Sequence, residues 1–466
     1  MLSLPEIAAR AVIAAPVLPA LAVVAIGGYA LLVRNPRETT TANITLAALM
    51  GSLIASLLGA GAILARGGEP IHVPLGAWFE VGGYSFHTSL HLDTTSATML
   101  VLTTVITSLV ARFSRSYLHR EAGFTRFFLL LGVFAAGMQL LVAAGTFDIL
   151  FAGWELVGLS SVLLVAFFHD RTAPVRASLR VFVVYRLCDL GLLVGAALLH
   201  RAGHGSEIGD LHFEQVAPAT ATAISLAFLF AAMGKSAQFP LGGWLPRAME
   251  GPTPSSALFY GALSVHAGVF LLLRAAPILA RAPIACAAIV VVGAMTAVVG
   301  TLCWRVQSDA KSALAFATMT QVGLMFVEVG LGFHRVALVH MIAHASLRTW
   351  QMLRAPSALE DADVVRAVHQ GRMPAAAGFV AGLAPVRVRN FVYRLALDRF
   401  QLEAFENAIV APVTRIAMVL SLHERRFTQL LEVAALAAAL PGRREDSSKR
   451  AAPDAATPNA GQKSQR

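Results

Sequence analysis

Lys235 closes the apolar run "TAISLAFLFAAMGK", and a lysine at mid-membrane depth costs about 3 kcal/mol or more, so such a residue is a candidate for function by default. The phrase after it, "SAQFPLGGWLPR", carries Pro240 and the pair Gly242 and Gly243. These residues break a helix and free backbone groups that must then line protein or a water-filled cavity. Glu155 lies near the middle of "FDILFAGWELVGLSSVLLVAFF" with no base in reach along its own helix. Its partner must come from another helix, and Lys235 is the natural one. Such a pair either gates an ion path or statically fixes helix packing.

Two further groups lie in apolar runs. Arg186 and Asp189 in "RASLRVFVVYRLCDLGLLVG" stand three apart and can pair on one helix face. Arg180, nearer the end of that helix, is either an interfacial anchor or a relay member. In "HRVALVHMIAHASLRTW", His340, His344 and Arg348 recur every four residues and form one stripe. Two histidines at that spacing could ligate zinc, but no HExxH glutamate, cysteine or second ligand pair accompanies them. Because histidine titrates at about 6.5, the stripe suits a relay between Arg348 and a carboxylate, which Glu328 on the preceding helix can supply. The other reading is a hydrogen-bonded core stripe. His266, with Ser256, Tyr260 and Ser264, adds polar lining after the helix break. Together these groups suit the movement of protons or small cations.

The elements that must hold them are transmembrane helices. The 466 residues are 56% hydrophobic and 14% charged, with a mean hydropathy of +0.66, which excludes an ordinary soluble domain. The fold class is an all-α polytopic membrane protein. A net charge of +10 in a soluble protein would suggest nucleic acid as a partner. Here Lys and Arg gather at helix ends and in the tail, so membrane lipid and orientation account for them instead. Cys188, Cys286 and Cys303 are scattered within apolar runs and read as small core residues.

Eleven spans are predicted: 9–33, 43–66, 93–113, 125–145, 147–168, 177–200, 218–248 (interrupted), 255–274, 283–304, 312–333 and 336–353. The first is too long for a signal peptide and is kept as structure. Between the second and third, "HVPLGAWFEVGGYSFHTSLHLD" alternates about a Gly-Gly turn and predicts a hairpin outside the bilayer. The loops around Arg34, Arg112 to Arg126, Arg171 to Arg180, Arg247 and Arg305 to Lys311 are basic and fall on one side of this count. That puts the N-terminus outside and the C-terminus in the cytoplasm. After Arg354 a short apolar stub, "MPAAAGFVAGLAP", leads into helix-period segments mixed with charge. They read as cytoplasmic-face helices that dock a partner, and residues 375–440 are expected not to cross. The organisation expected is residues 1–92 for two helices and the hairpin, 93–355 for the conducting core, 356–441 for the amphipathic docking helices and 442–466 for a disordered tail.

Five phrases, "FAGWELVGLSSVLLVAFF", "ASLRVFVVYRLCDLGLL", "GKSAQFPLGGWLPRAMEGPTPSSAL", "SDAKSALAFATMTQVGLMF" and "HMIAHASLRTW", resemble in order and spacing the antiporter-like L subunit of respiratory complex I and its relatives in Mrp cation antiporters. The resemblance implies a bundle of inverted repeats with broken helices, a proton or sodium path at mid-depth, and Glu155 and Lys235 as the family's glutamate–lysine pair. It also implies a multi-pass protein of the bacterial inner membrane. Tyr260 and Arg348 stand where the complex I pattern has histidine and lysine, and the helices expected after "HASLRTW" are replaced, so the second inverted repeat reads as truncated. Arginine is effectively never deprotonated, which makes Arg348 a fixed charge and not a proton carrier.

"SSALFYGALSVHAGVFLLLR", "MFVEVGLGF" and "HASLRTWQMLRAPSALED" resemble a narrower branch, the membrane subunit of DAB-type inorganic carbon accumulation complexes. That resemblance implies a large cytoplasmic partner with a zinc site like that of β-carbonic anhydrases, in which cation flow drives CO2 to bicarbonate. This chain itself is expected to hold no cofactor and to do no chemistry. The alternative is a proton-pumping subunit of complex I or a related respiratory or Mrp complex.

Overall fold

The structure is a computed structural model, and it describes residues 3–81, 84–202, 207–208, 216–368 and 385–439. The chain divides into two compact units, the first ending at Ala411 and the second beginning at Pro412. Helices α1 (Leu4–Leu32) and α2 (Glu38–Ala65) come first, then a hairpin of β1 (Ile71–Val81) and β2 (Tyr84–Leu92). There follow α3 (Thr94–Tyr117), α4 (Phe124–Ala143), α5 (Phe147–Val165), α6 (Thr172–Arg201) and α7 (Pro218–Lys235). After the break come short turns α8 (Trp244–Arg247) and α9 (Thr253–Ser255), then α10 (Ala267–Arg274) and α11 (Ala276–Leu279). Long helices resume with α12 (Pro283–Trp304), α13 (Ala310–Gly330) and α14 (His334–Val368), followed by α15 (Val386–Leu397) and α16 (Leu402–Ala439).

Local sequence explains the helix starts. Ser3 caps α1 in a reciprocal capping box with Glu6, and Asp93, Thr146 and Asp309 accept the third backbone N–H of α3, α5 and α13. Pro218 and Pro283 open α7 and α12, where a missing N–H costs nothing. Between helices the contacts rest on small residues, which let apolar backbones approach in a bilayer. A Cβ on Gly153 of α5 would meet the Leu141 nitrogen of α4 at 2.5 Å, and one on Gly293 of α12 would meet the Gly323 carbonyl oxygen of α13 at 2.5 Å.

Eleven helical segments among the described residues are long and apolar enough to cross a membrane. Nine match the predicted spans to within about five residues, and a tenth, predicted as 218–248, ends its helix at Lys235. The eleventh is Arg399–Glu432, with a mean hydropathy of 1.4, inside the stretch expected to stay out of the bilayer, while α14 does not reach the same hydropathy. The physical reason is where the charge falls. Arg399, Glu403 and Glu406 are spent on contacts at the start of α16, which leaves "AIVAPVTRIAMVLSL" with Arg415 alone. The helix α14 also runs unbroken past residue 355, where a change of character was expected. Most of the apolar stub and the tail 442–466 lie outside the described residues.

The segment Thr253–Arg274 is the most enclosed of the spans. It is not a regular α-helix, since residues 256–262 form a π-helix and 264–266 a 3-10 turn. Such departures concentrate at functional sites.

The hairpin is antiparallel, with Ile71 opposite Leu92. It is tied to the bundle where the Gly145 N–H donates to the Ser89 carbonyl at 2.9 Å. At this end Arg274, the last residue of α10, donates to both carboxylate oxygens of Asp93 at 2.7 and 2.9 Å and also reaches Ser96. Burial alone would raise the Asp93 carboxyl, but the His91 imidazole 3.7 Å away and the hydrogen bonds and charge of Arg274 outweigh it and hold the group well below the usual carboxylate range. Replacing Arg274 with Met is therefore expected to lower stability by about 2 kcal/mol, since it takes both guanidinium hydrogen bonds from a carboxylate that is 26% exposed. A group with a depressed folded pKa stabilises above its unfolded value of about 3.9 and loses that contribution only as the pH falls through the folded value. Thermal unfolding in detergent should then show the Arg274→Met deficit largest near pH 7 and shrinking as the pH falls, where the Asp93 carboxyl, no longer held down by Arg274, takes up a proton.

Candidate functional site

The helix break is built by one tight backbone path. Helix α7 ends at Lys235, Ala237 has φ +51, and a cis peptide joins Phe239 to Pro240. The freed amides are accounted for locally: Gln238 N–H donates to the Met233 carbonyl at 2.9 Å, Leu241 N–H to the Gln238 carbonyl at 2.7 Å, and Phe239 N–H to the Thr296 hydroxyl at 2.9 Å. Gly242 is required because a Cβ there would lie 2.4 Å from the Ala237 carbonyl oxygen. Pro240, Gly242 and Gly243 thus do what the sequence assigns them, and they leave Lys235 at a helix end inside the bundle.

Lys235 is 1% exposed. Its Nζ donates to the Trp154 carbonyl at 3.2 Å and lies 4.2 Å from the Tyr185 ring centroid and 4.8 Å from that of Trp154. Aromatic faces and a carbonyl stabilise an ammonium without a direct counter-ion. Gly158 keeps the pocket open, since a Cβ there would sit 2.7 Å from Nζ.

Glu155 is not in direct contact with Lys235, which corrects the pairing expected from the sequence. Its carboxylate meets Arg186 of α6 in a close ion pair, and Arg186 Nη2 also lies 2.7 Å from Asp189 Oδ2. Asp189 in turn accepts from the Trp154 indole N–H. The reason is geometric: a guanidinium offers a fork of donors to two carboxylates at once, while the Lys235 ammonium is held behind the Trp154 and Tyr185 rings. Glu155, Arg186, Asp189 and Lys235 nonetheless form one cluster of two acids and two bases, and the charges of Asp189 and Glu155 both act on Lys235. Glu155 Oε1 and Arg186 Nε are buried with no hydrogen-bond partner among the described residues.

The histidine stripe is a second station. His340 bridges Glu328 Oε1 and Gln321 Oε1, each at 2.9 Å. His344 Nδ1 faces His266 Nε2 at 3.0 Å, with both side chains buried. Glu328 therefore meets the stripe as expected, whereas His266 enters it directly and not as general lining. Arg348 is buried and donates to Gln351 on its own helix, with no hydrogen bond to either histidine among the described residues. Tyr260 donates to the Ser161 carbonyl at 3.0 Å. Among the described residues no group of three or more His, Cys, Asp or Glu is placed to hold a metal ion.

Sequence reasoning missed Glu406. It is fully buried, accepts from the Trp244 backbone N–H at 3.0 Å and lies 3.9 Å from Arg180 Nη1. Arg180 also bonds Asn407 at 2.6 Å, so it is neither a lipid anchor nor a member of the Glu155 cluster. Nothing in "RFQLEAFENAIV" marks this glutamate apart from its neighbour Glu403, which Arg247 binds through two hydrogen bonds of 3.0 and 2.8 Å.

Residues 144–372, which contain every candidate residue named above except those of α16, match the family described as NADH:quinone oxidoreductase/Mrp antiporter, transmembrane. Residues 78–128 match the complex I chain 5 N-terminus. The NADH-quinone oxidoreductase subunit L of Neisseria meningitidis serogroup B is 36% identical over 297 residues, covering 60% of this chain and 44% of the relative. That of Mycobacterium tuberculosis is 34% identical over 348 residues, covering 73% and 53%. The NADH-ubiquinone oxidoreductase chain 5 of Allomyces macrogynus is 33% identical over 386 residues, covering 82% and 58%. The chain spans about half the length of these curated relatives. Among solved structures, the Mrp complex from a Dietzia species superposes with a TM-score of 0.63 at 28% identity, over 74% of this chain and 37% of that one. An archaeal membrane-bound sulfane sulfur reductase shares the fold, with a TM-score of 0.63 at 18% identity over 86% and 85%.

Proposed function

The chain belongs to the antiporter-like superfamily of complex I L subunits and Mrp antiporters, and we propose that it moves a cation, a proton or sodium, as a transport subunit of a multi-subunit membrane complex. One observation carries this reading: a lysine 1% exposed, at a broken helix, beside two carboxylates and an arginine but in direct ion contact with none. With all four groups charged the cluster is neutral. Loss of one proton from Lys235, or gain of one cation, unbalances it by a single charge, which a low-dielectric site registers strongly. The histidines and Glu328 extend the polar path through the 3-10 turn of residues 264–266, α13 and α14. Arg348 supplies fixed charge at its end.

The complex follows from the same cluster. Arg186 is 37% exposed and Glu155 25%, both in mid-helix, and charged groups in a bilayer face protein or water, not lipid. A neighbouring subunit covers them. The curated relatives favour a respiratory or Mrp-type setting. In this reading the basic ends, joined where Arg180, Arg247 and Arg399 meet Glu403, face the cytoplasm, and the N-terminus lies outside.

The narrower reading, a subunit that powers CO2 to bicarbonate conversion in a zinc-containing cytoplasmic partner resembling β-carbonic anhydrases, has Tyr260 and Arg348 behind it. Both stand where the complex I pattern carries histidine and lysine. Affinity purification from native membranes separates the two settings. Iron–sulfur or Mrp-type membrane subunits in the eluate support the first, and a zinc protein supports the second. Recovery of this chain alone, in a form still stable and monodisperse, contradicts both.

A further inference from the structure

Glu406 belongs to no part of the path described so far, yet it reaches into the helix break from α16. It sits in the second turn of α16 and is 0% exposed. Its Oε1 accepts the Trp244 N–H at 3.0 Å. This is an amide that the break leaves without a helical partner. A Cβ on Gly243 would lie 3.0 Å from Glu406 Oε2, so glycine at this position is what admits the carboxylate. Arg180, 3.9 Å away, supplies the balancing charge.

What Glu406 holds is in contact with the ion site. The Trp244 indole N–H donates to the Gly234 carbonyl at 3.1 Å, one residue before Lys235. The Trp244 ring meets Tyr185 edge-on at 5.0 Å, and Tyr185 is the ring 4.2 Å from Lys235 Nζ. Three contacts therefore connect a carboxylate on the C-terminal helix to the lysine.

We propose that Glu406 is a positioning residue for Lys235: by binding the Trp244 amide of the broken helix it fixes Trp244, and through Trp244 the backbone and the aromatic face that hold the ammonium. The site is then complete only while the first turns of α16 are seated. This rests on the cation-transport reading for its consequence, though not for its geometry. Helix α16 becomes the element through which anything that displaces it acts on the lysine.

A native thiol reports the geometry. Cys188 is buried against Gly234, its Sγ 2.5 Å from where a Cβ on Gly234 would stand. In a Cys286→Ala, Cys303→Ala background, maleimide labelling of the complex in membranes reads how often the break opens. Glu406→Ala should label about tenfold faster, because it strands the buried Trp244 amide. Glu406→Gln keeps an acceptor oxygen and should label near the wild-type rate. Gly243→Ala leaves Glu406 in the chain but crowds its carboxylate and the start of α16, and should label faster than wild type though less than Glu406→Ala, which keeps the test available if the latter does not assemble. Wild-type labelling rates in an assembled Glu406→Ala or Gly243→Ala complex overturn the proposal. Faster labelling together with a wild-type complex that moves no cation leaves Glu406 as the positioner of Lys235 and contradicts the transport reading instead.

Discussion

Lys235→Ala is expected to abolish cation-coupled activity, with the complex still assembled. The variant removes one of two bases from a cluster of two acids and two bases, leaving one net negative charge away from water. A carboxylate in that position takes up a proton and stays neutral, because an uncompensated buried charge costs far more than a protonated acid. Glu155 or Asp189 then no longer alternates between charged states, and the site loses its response to an arriving cation. Folding survives because Lys235 makes only a carbonyl hydrogen bond at 3.2 Å and ring contacts, and alanine there leaves a cavity beside Gly158. Glu155→Gln should give the same loss of activity through the opposite imbalance. The check is activity per assembled complex, normalised by quantitative blotting and a size-exclusion profile.

Arg186→Ala should fail on both counts. Arg186 is the direct partner of Glu155 and Asp189 together, so its removal strands two carboxylates at once, at a cost of about 2 kcal/mol, below that of a fully buried pair because the guanidinium is 37% exposed. The expected result is lower thermal stability in detergent as well as lost activity. Arg186→Lys should recover only part of either, because a single ammonium cannot reproduce the forked contact with both acids. If Arg186→Ala keeps wild-type stability, the ion pairs described for the cluster do not hold the bundle together. Comparing Arg186→Ala with Lys235→Ala separates the structural base from the transport base.

Much of this was legible in the sequence. Hydropathy placed nine of the spans to within about five residues and a tenth, 218–248, ran on past its helix end at Lys235; the alternating phrase about Gly-Gly pointed to the hairpin, and Pro240 with Gly242 and Gly243 to the break. The pairs Arg186 with Asp189 and His340 with Glu328 were legible because both members lie on one helix or on adjacent helices, where spacing sets reach. The rest depended on distance through the fold. Glu155 had two buried bases to choose from, and only the packing of α5 on α6, with Trp154 and Tyr185 enclosing Lys235, selects Arg186. The His266 to His344 contact needs the π-helix of residues 256–262, which no periodicity announces. Asp93 and Arg274 are 181 residues apart. Glu406 lies in a segment that reads as amphipathic until Arg180, Arg247 and the broken helix absorb its charges.

The most direct test is cation flux in proteoliposomes. The purified wild-type complex, with an imposed proton or sodium gradient and a pH- or sodium-sensitive dye inside, should show gradient-dependent movement of one of these cations. Lys235→Ala, assembled and inserted to the same level, should show only the leak of empty vesicles. Equal flux through the wild type and Lys235→Ala would contradict the account, because it would place the cation path away from the lysine at the broken helix.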